Sequence, residues 1–368
     1  MRNNGTASRS MFTIILLAAV ILAATGVAAT ACSRVLSSSN GQAVLVGRNM
    51  DWPEKTAISL WALPRGLHRD GLPGENSLVW KSKYGSIVAA SVVGNNAFVA
   101  DGMNERGLVA NLLWLDESDY GKRRKDVPGL SVALWAQYVL DTCETVSEAV
   151  KAMRSAQYQI VGMKVPMDIP KVGVTMSEAT LHLSLADSSG DSAIVEYVGG
   201  KPLIHHDRNY TIMTNRPTFE KQQENLGKYR GFGGTRPLPG TADSLDRFVR
   251  AAYYMKYLPK PNTLREAVAG VLSVTRNASQ PFSVSVDPKN PYIAATIWRV
   301  VADSTNGVYY YESTTSPFLI WADFSSFDLS EGATAMKLDL GKNDPDYCGD
   351  VSKKFVRADP SELKVPVF

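Results

Sequence analysis

The chain has 368 residues, 45% of them hydrophobic, with 39 basic against 36 acidic side chains and a net charge of +3. That composition supports an ordinary globular core, and so small a charge excess excludes the electrostatic footprint of a nucleic-acid-binding protein. The three cysteines, Cys32, Cys143 and Cys348, exclude a fully paired disulfide set and leave at least one thiol to explain.

The chain opens in three parts. Arg2 and Arg9 give a positive start, Met11 to Val27 is almost wholly apolar, and the small residues "AATA" lead directly into Cys32. This is the pattern of a secretory signal. The alternative, a retained membrane anchor, is weakened by an apolar run shorter than the ~20 residues that cross a bilayer. Residues 1–31 are therefore expected to be a signal peptide that is removed. Residues 32–368 are expected to form a single domain of an exported protein, periplasmic or secreted, without stable membrane insertion. The cut falls directly before Cys32, or after Ala29 with later self-removal of Thr30 and Ala31. Losing two arginines lowers the net charge from +3 to +1.

After Cys32, "SRVLSS" and "AVLVGRNM" flank the polar turn "SNGQ", which predicts a β-hairpin. "TAISLWAL", "GSIVAASVV" and "LVANLLWL" predict further strands. "GLSVALWAQYVLDTC" and "TVSEAVKAMRS" predict two helices, the second capped by Thr145 with Glu148 three residues on. Cys143, in the first of them, reads as a buried free thiol, with a Cys143–Cys348 bridge left open. "TLHLSLADSSGDSAIVEYV" predicts a second hairpin. "GFGGTRPLPG" predicts a mobile loop, a candidate lid over a site. "DSLDRFVRAAYYMKYL" and "NTLREAVAGVLSV" return to helical spacing, and "YIAATIWRVVAD", "GVYYYES" and "FLIWADF" predict closing strands. Strands and helices in separate blocks suggest sheets packed on each other with helices outside.

The chemistry narrows by elimination. His68, His182, His205 and His206 form no H-x-x-x-H pattern and no spacing with cysteines that would hold a metal. No G-x-S-x-G elbow is present. Neither a metal nor an organic cofactor is expected. An N-terminal cysteine, by contrast, needs no histidine. Its own α-amine, with a pKa of about 7.7–8.0, is partly neutral at pH 7 and can take the thiol proton. That chemistry demands cleavage before Cys32.

At these residues the chain resembles a known family. "CSRVL", "GRNMDW", "ADGMNERGLVANLLWL", "TIMTNRPTF" and "DRFVRAAY" occur in the order found in the choloylglycine hydrolase and penicillin V acylase family. The resemblance covers essentially the whole chain after Cys32. It implies an α+β fold, the four-layer αββα sandwich of N-terminal-nucleophile hydrolases, and a homo-oligomer, a tetramer. It also implies roles by position: Cys32 as nucleophile, Arg48 and Asp51 as its R-x-x-D pair, Asn215 as oxyanion donor and Arg247 as the arginine opening R-F-x-R. A guanidinium beside a thiol favours thiolate, a carboxylate supports an α-ammonium, and a neutral amide suits an oxyanion. Read without the resemblance, the R-x-x-D pair is a strand-end ion pair and Asn215 a turn residue. Arg250 reads as structural.

Trp52 and Trp114 set the substrate expectation. They resemble the Gram-negative branch of the family and would make an aromatic wall for a phenoxyacetyl or fatty acyl group. The implied substrate is a small acyl amide of the penicillin V or N-acyl homoserine lactone type, ahead of a conjugated bile salt. A rival of another class is a lipoprotein binding module anchored through a lipidated Cys32. That module would lack a free α-amine.

Overall fold

The first hairpin lies at the heart of one of two large sheets. β1 (Ser33–Ser37) pairs antiparallel with β2 (Leu45–Trp52), Ser33 opposite Asn49 and Ser37 opposite Leu45. Asn40 organises the turn: its Nδ2 donates to the carbonyls of Ser37 (3.2 Å) and Ala43 (2.8 Å), and its Oδ1 accepts from Gln42 N–H. Gly41 takes a positive φ of 81°, where a side chain would be strained. The computed structural model describes residues 32–52, 56–71, 76–93, 96–169, 173–281, 294–340 and 347–363. The expected signal peptide lies outside the described residues.

β1 and β2 lie in a seven-stranded sheet. Its order is Ile212–Met213, β1, β2, Ala295–Asp303, Val308–Ser313, Leu319–Asp323 and Gly349–Asp350. A nine-stranded sheet runs Lys201–His206, Ser192–Val198, Leu181–Ala186, Val109–Trp114, Asn96–Asn104, Ser86–Val93, Ala57–Leu63, Met336–Asp339 and Val356–Arg357. Helices α1 (Trp135–Thr142) and α2 (Val146–Arg154) cover the nine-stranded sheet. α3 (Phe219–Leu226) leans on α4 (Ser244–Tyr257), and α4 and α5 (Leu264–Asn277) cover the seven-stranded one. The layers are thus α, β, β, α, as the block order of the sequence predicts.

Two apolar cores hold the layers. One runs between the sheets and under α4 and α5, and includes Leu36, Met103, Val109, Phe248 and Val271. The other lies beneath α1 and α2, around Trp61, Trp135 and Leu140. Each fully buried large apolar side chain contributes ~1.5–3 kcal/mol. α5 approaches β2 so closely at Gly47 that an added Cβ would meet Val271 Cγ1 at 2.6 Å and Thr275 Cγ2 at 2.7 Å. No larger residue fits there.

Several expectations change. Cys143 is the buried free thiol expected, and the bridge left open is not formed, since Cys348 is exposed and free. α1 starts only at Trp135, because Gly129–Ser131 is a short strand and Ser131 then caps a single 3-10 turn. The "GFGGTRPLPG" loop is no lid over Cys32. It folds back through a bridge between Tyr229 and Arg236, and Phe232 lines a different groove. A two-stranded ribbon, Lys164–Ile169 with Gly173–Glu178, stands outside both sheets and was not anticipated.

Candidate active site

Cys32 immediately precedes β1, and the hairpin register carries its side chain towards Met50 of β2. The thiol Sγ lies 3.9 Å from Met50 Sδ and 3.7 Å from the carbonyl oxygen of Asp51, to which it donates. Alternation along β2 then divides the labour. Arg48 and Met50 face the nine-stranded sheet. Asn49 and Asp51 face the other way, where Asn49 Nδ2 donates to the Thr275 carbonyl of α5 at 2.7 Å. One short strand thus serves both sides of the nucleophile.

On the inner side, Arg48 is fully buried, with Nη2 3.9 Å from Cys32 Sγ, 3.1 Å from Met50 Sδ and 3.0 Å from the Leu112 carbonyl. Its guanidinium lies 4.5 Å over the Trp298 ring. On the helix side, Asp51 Oδ1 accepts from Thr296 Oγ1 at 2.5 Å, while its Oδ2 has no hydrogen-bond partner among the described residues. Burial lifts the Asp51 carboxyl to about 7, against the opposing pull of Arg247, Thr296, Arg48 and Arg299. Burial also pushes the Cys32 thiol up, Arg48 opposing it. The thiol therefore needs a base, and none of the four histidines lines its cavity.

Behind Cys32, Arg247 projects from α4 and donates Nη1 to the Cys32 carbonyl at 2.6 Å and Nη2 to Asn215 Oδ1 at 2.9 Å. Asn215 in turn gives Nδ2 to the Trp114 carbonyl at 2.8 Å. One guanidinium therefore fixes both the nucleophile's backbone and the orientation of the amide. An Asn side chain carries two N–H donors, so one remains for a substrate oxygen. Arg250, on the same helix, donates to Asn277 Oδ1 and to the Thr241 carbonyl and does not join this group.

The cavity facing the thiol is lined by Met50, Trp52, Phe98, Leu112 and Trp114, with Val165, Ala179 and Leu181 from the ribbon and its exit. The rings of Trp52 and Trp114 stand 5.9 Å apart at 57°, and Trp114 Nε1 is anchored on Asp116 Oδ1 at 2.9 Å. The cavity is small, about 40 Å³.

All seven residues singled out in the sequence converge here. Cys32, Arg48, Trp52 and Trp114 line the cavity, and Asp51, Asn215 and Arg247 back it. The sequence reading missed Met50, Thr296 and Trp298. Met50 lay inside the quoted "GRNMDW", and its period-two spacing from Arg48 was the available signal.

Two packed sheets clad by helices, with a cysteine at the head of an inner strand, define the N-terminal-nucleophile hydrolase fold. The model of the choloylglycine hydrolase family of linear amide C–N hydrolases matches residues 32–343, and the chain belongs to that family. It is 42% identical to a penicillin V acylase from Pectobacterium atrosepticum, over 99% of both chains. A bile salt hydrolase/transferase from Bifidobacterium longum is 26% identical, over 63% of this chain and 76% of the relative. Among solved structures, penicillin V acylase from Agrobacterium tumefaciens superposes with a TM-score of 0.77 at 43% identity, covering 90% of this chain and 98% of that one. A conjugated bile acid hydrolase from Clostridium perfringens shares the fold, with a TM-score of 0.68 at 21% identity over 85% and 97% of the two chains.

Proposed function

We propose that this linear amide hydrolase is exported, is cut before Cys32, and hydrolyses amides of the penicillin V or N-acyl homoserine lactone type through a thioester on Cys32. One observation carries the reading: the buried thiol faces an aromatic cavity, with a guanidinium 3.9 Å away and, behind it, an Asp51 oxygen that has no hydrogen-bond partner among the described residues. The new α-amine takes the thiol proton, and Asp51 Oδ2 receives the resulting ammonium. The thiolate adds to the acyl carbon, and the free N–H of Asn215 meets the developing oxyanion. The C–N bond then breaks, the ammonium returns its proton to the leaving amine, and water, deprotonated by the same amine, clears the thioester. Greater likeness to penicillin V acylases than to bile salt hydrolases favours an aromatic or fatty acyl group over a steroid. The homo-oligomer implied by family resemblance belongs to the same proposal.

A panel of penicillin V, N-acyl homoserine lactones and glycocholate on the purified mature protein tests the substrate, and mass spectrometry of its N-terminus tests the processing. Cys32→Ser should be folded and inactive or nearly so, because a site shaped around a thiol is not arranged to activate a shorter, far less acidic hydroxyl, although an α-amine does so in sites built for it. A protein with a non-removable residue before Cys32 should be equally inactive. Full hydrolysis by that blocked protein would remove the α-amine from the mechanism. A diacylglyceryl adduct on Cys32 would establish the lipoprotein alternative instead.

A further inference from the structure

The proposed mechanism leaves one buried charge beside the site without a task. Asp101, on the Asn96–Asn104 strand, is fully buried, and its Oδ2 lies 3.9 Å from Arg48 Nε. Two donors fix its plane: Tyr309 gives its hydroxyl to Oδ1 at 2.5 Å, and Asn111 gives Nδ2 to Oδ2 at 2.6 Å. Arg48 needs such a neighbour. Its Nε and Nη1 have no hydrogen-bond partner among the described residues, and a buried charge left uncompensated is strongly unfavourable.

Asp51 does not fill that role. It points to the opposite face of β2, with Oδ1 committed to Thr296, and among the described residues the ion pair of Arg48 is with Asp101. We infer that Asp101 is a positioning residue: it holds Arg48 beside the Cys32 thiol, tempers its charge, and thereby leaves Asp51 Oδ2 open to the N-terminal amine. This deepens the proposed function and rests on it. The charged groups facing the thiol are Arg48, Asp51 and Arg247. Those facing Asp101 are Arg48 and the Tyr309 hydroxyl.

The test separates charge from shape. Mature wild type, Asp101→Asn and Tyr309→Phe are alkylated with iodoacetamide across the pH range. Peptide mass spectrometry reads Cys32 apart from Cys143 and Cys348, circular dichroism checks the fold, and kcat/KM for penicillin V is measured alongside. Asp101→Asn leaves Arg48 uncompensated, so the Cys32 alkylation midpoint should move to lower pH. Its kcat/KM at neutral pH should fall about tenfold or more as the guanidinium loses its hold. Tyr309→Phe weakens the carboxylate's ionised form and should move the midpoint the same way by less. A folded Asp101→Asn whose midpoint stays or rises overturns the inference even if activity falls, because a purely structural defect does not retune the thiol. Should Asp101→Asn fail to fold, Tyr309→Phe decides, and an unmoved midpoint overturns the inference. A wild type inert towards penicillin V, with the midpoint displaced in Asp101→Asn, would remove the substrate reading and leave this one standing.

Discussion

The strand β1 has a recess at each end, and the two are opposites. At its start is the Cys32 cavity of about 40 Å³, closed by tryptophans and backed by buried Arg48, Asp51 and Arg247. At its far end a groove of about 710 Å³ opens between the hairpin turn, the 231–240 loop and α4, lined by Leu36, Phe232, Phe248 and Met255. Its ionisable residues, Lys256, Lys260 and Glu266, are all exposed. Room and reactivity are separate properties: exposed charges cost nothing to keep, whereas buried ones persist only where something else selects them. The smaller recess is the one that holds the buried charges.

Three substitutions and one pH measurement would break or sharpen that contrast. The largest effect should come from Asn215→Ala, which removes a donor to the oxyanion and should lower kcat by ~10²–10³ with KM little changed. Steady-state kinetics check this, and a loss confined to KM would place Asn215 in substrate binding alone. Next come two aromatic truncations, one in each recess. Trp114→Ala should cost ~1–3 kcal/mol of transition-state binding, chiefly as raised KM, and more for phenoxyacetyl and long acyl amides than for acetyl amides. Phe232→Ala should leave kcat/KM within about twofold for all three. Equal losses across acyl groups in Trp114→Ala would make it a core residue.

The smallest effect concerns pH. Burial lifts Asp101 from 3.8 to about 6, opposed by Arg48, Tyr309 and Asn111, and Asp51 rises from 3.8 to about 7. A carboxyl with a raised folded pKa binds its proton more tightly when folded. Its stabilising share is full below 3.8 and is lost as pH rises through the folded value. Glu196 is shifted the other way, to about 2, by His182 and His205 despite burial. Its share is lost only as pH falls through that value, outside this window. The Tm should therefore decline as pH rises from about 4 to about 7, and less steeply in Asp101→Asn. Parallel curves would show that Asp101 titrates alike in both states.

Local patterns were legible because they depend on few neighbours. The hairpin turn at Asn40-Gly41, the Thr145 cap and the 181–198 hairpin each follow from a dozen residues or fewer on either side. Cys32, Arg48 and Asp51 share one hairpin, so their meeting follows from its register. Thr296, Trp298 and Tyr309 reach the site from strands some 250 residues later in the chain, and only the assembled sheets bring them there. The 164–178 ribbon escaped notice for another reason: Lys164, Pro166 and Asp168 interrupt its apolar alternation, and it pairs with neither large sheet. The 231–240 loop has the glycines of a lid, but glycine content reports permitted backbone angles, not which recess lies beneath.

Chain ends normally fray. A protein cut before Cys32 would have its reacting group on its very first residue, where thermal motion is ordinarily greatest. Here β1 is paired on both edges, to β2 and to Ile212–Met213, and the Arg247 guanidinium grips the first carbonyl at 2.6 Å. The usual gradient of mobility is thus inverted. The amides of Arg34 and Val35 should exchange with solvent deuterium as slowly as those of the central strands, and the warhead would sit at a terminus that behaves as interior.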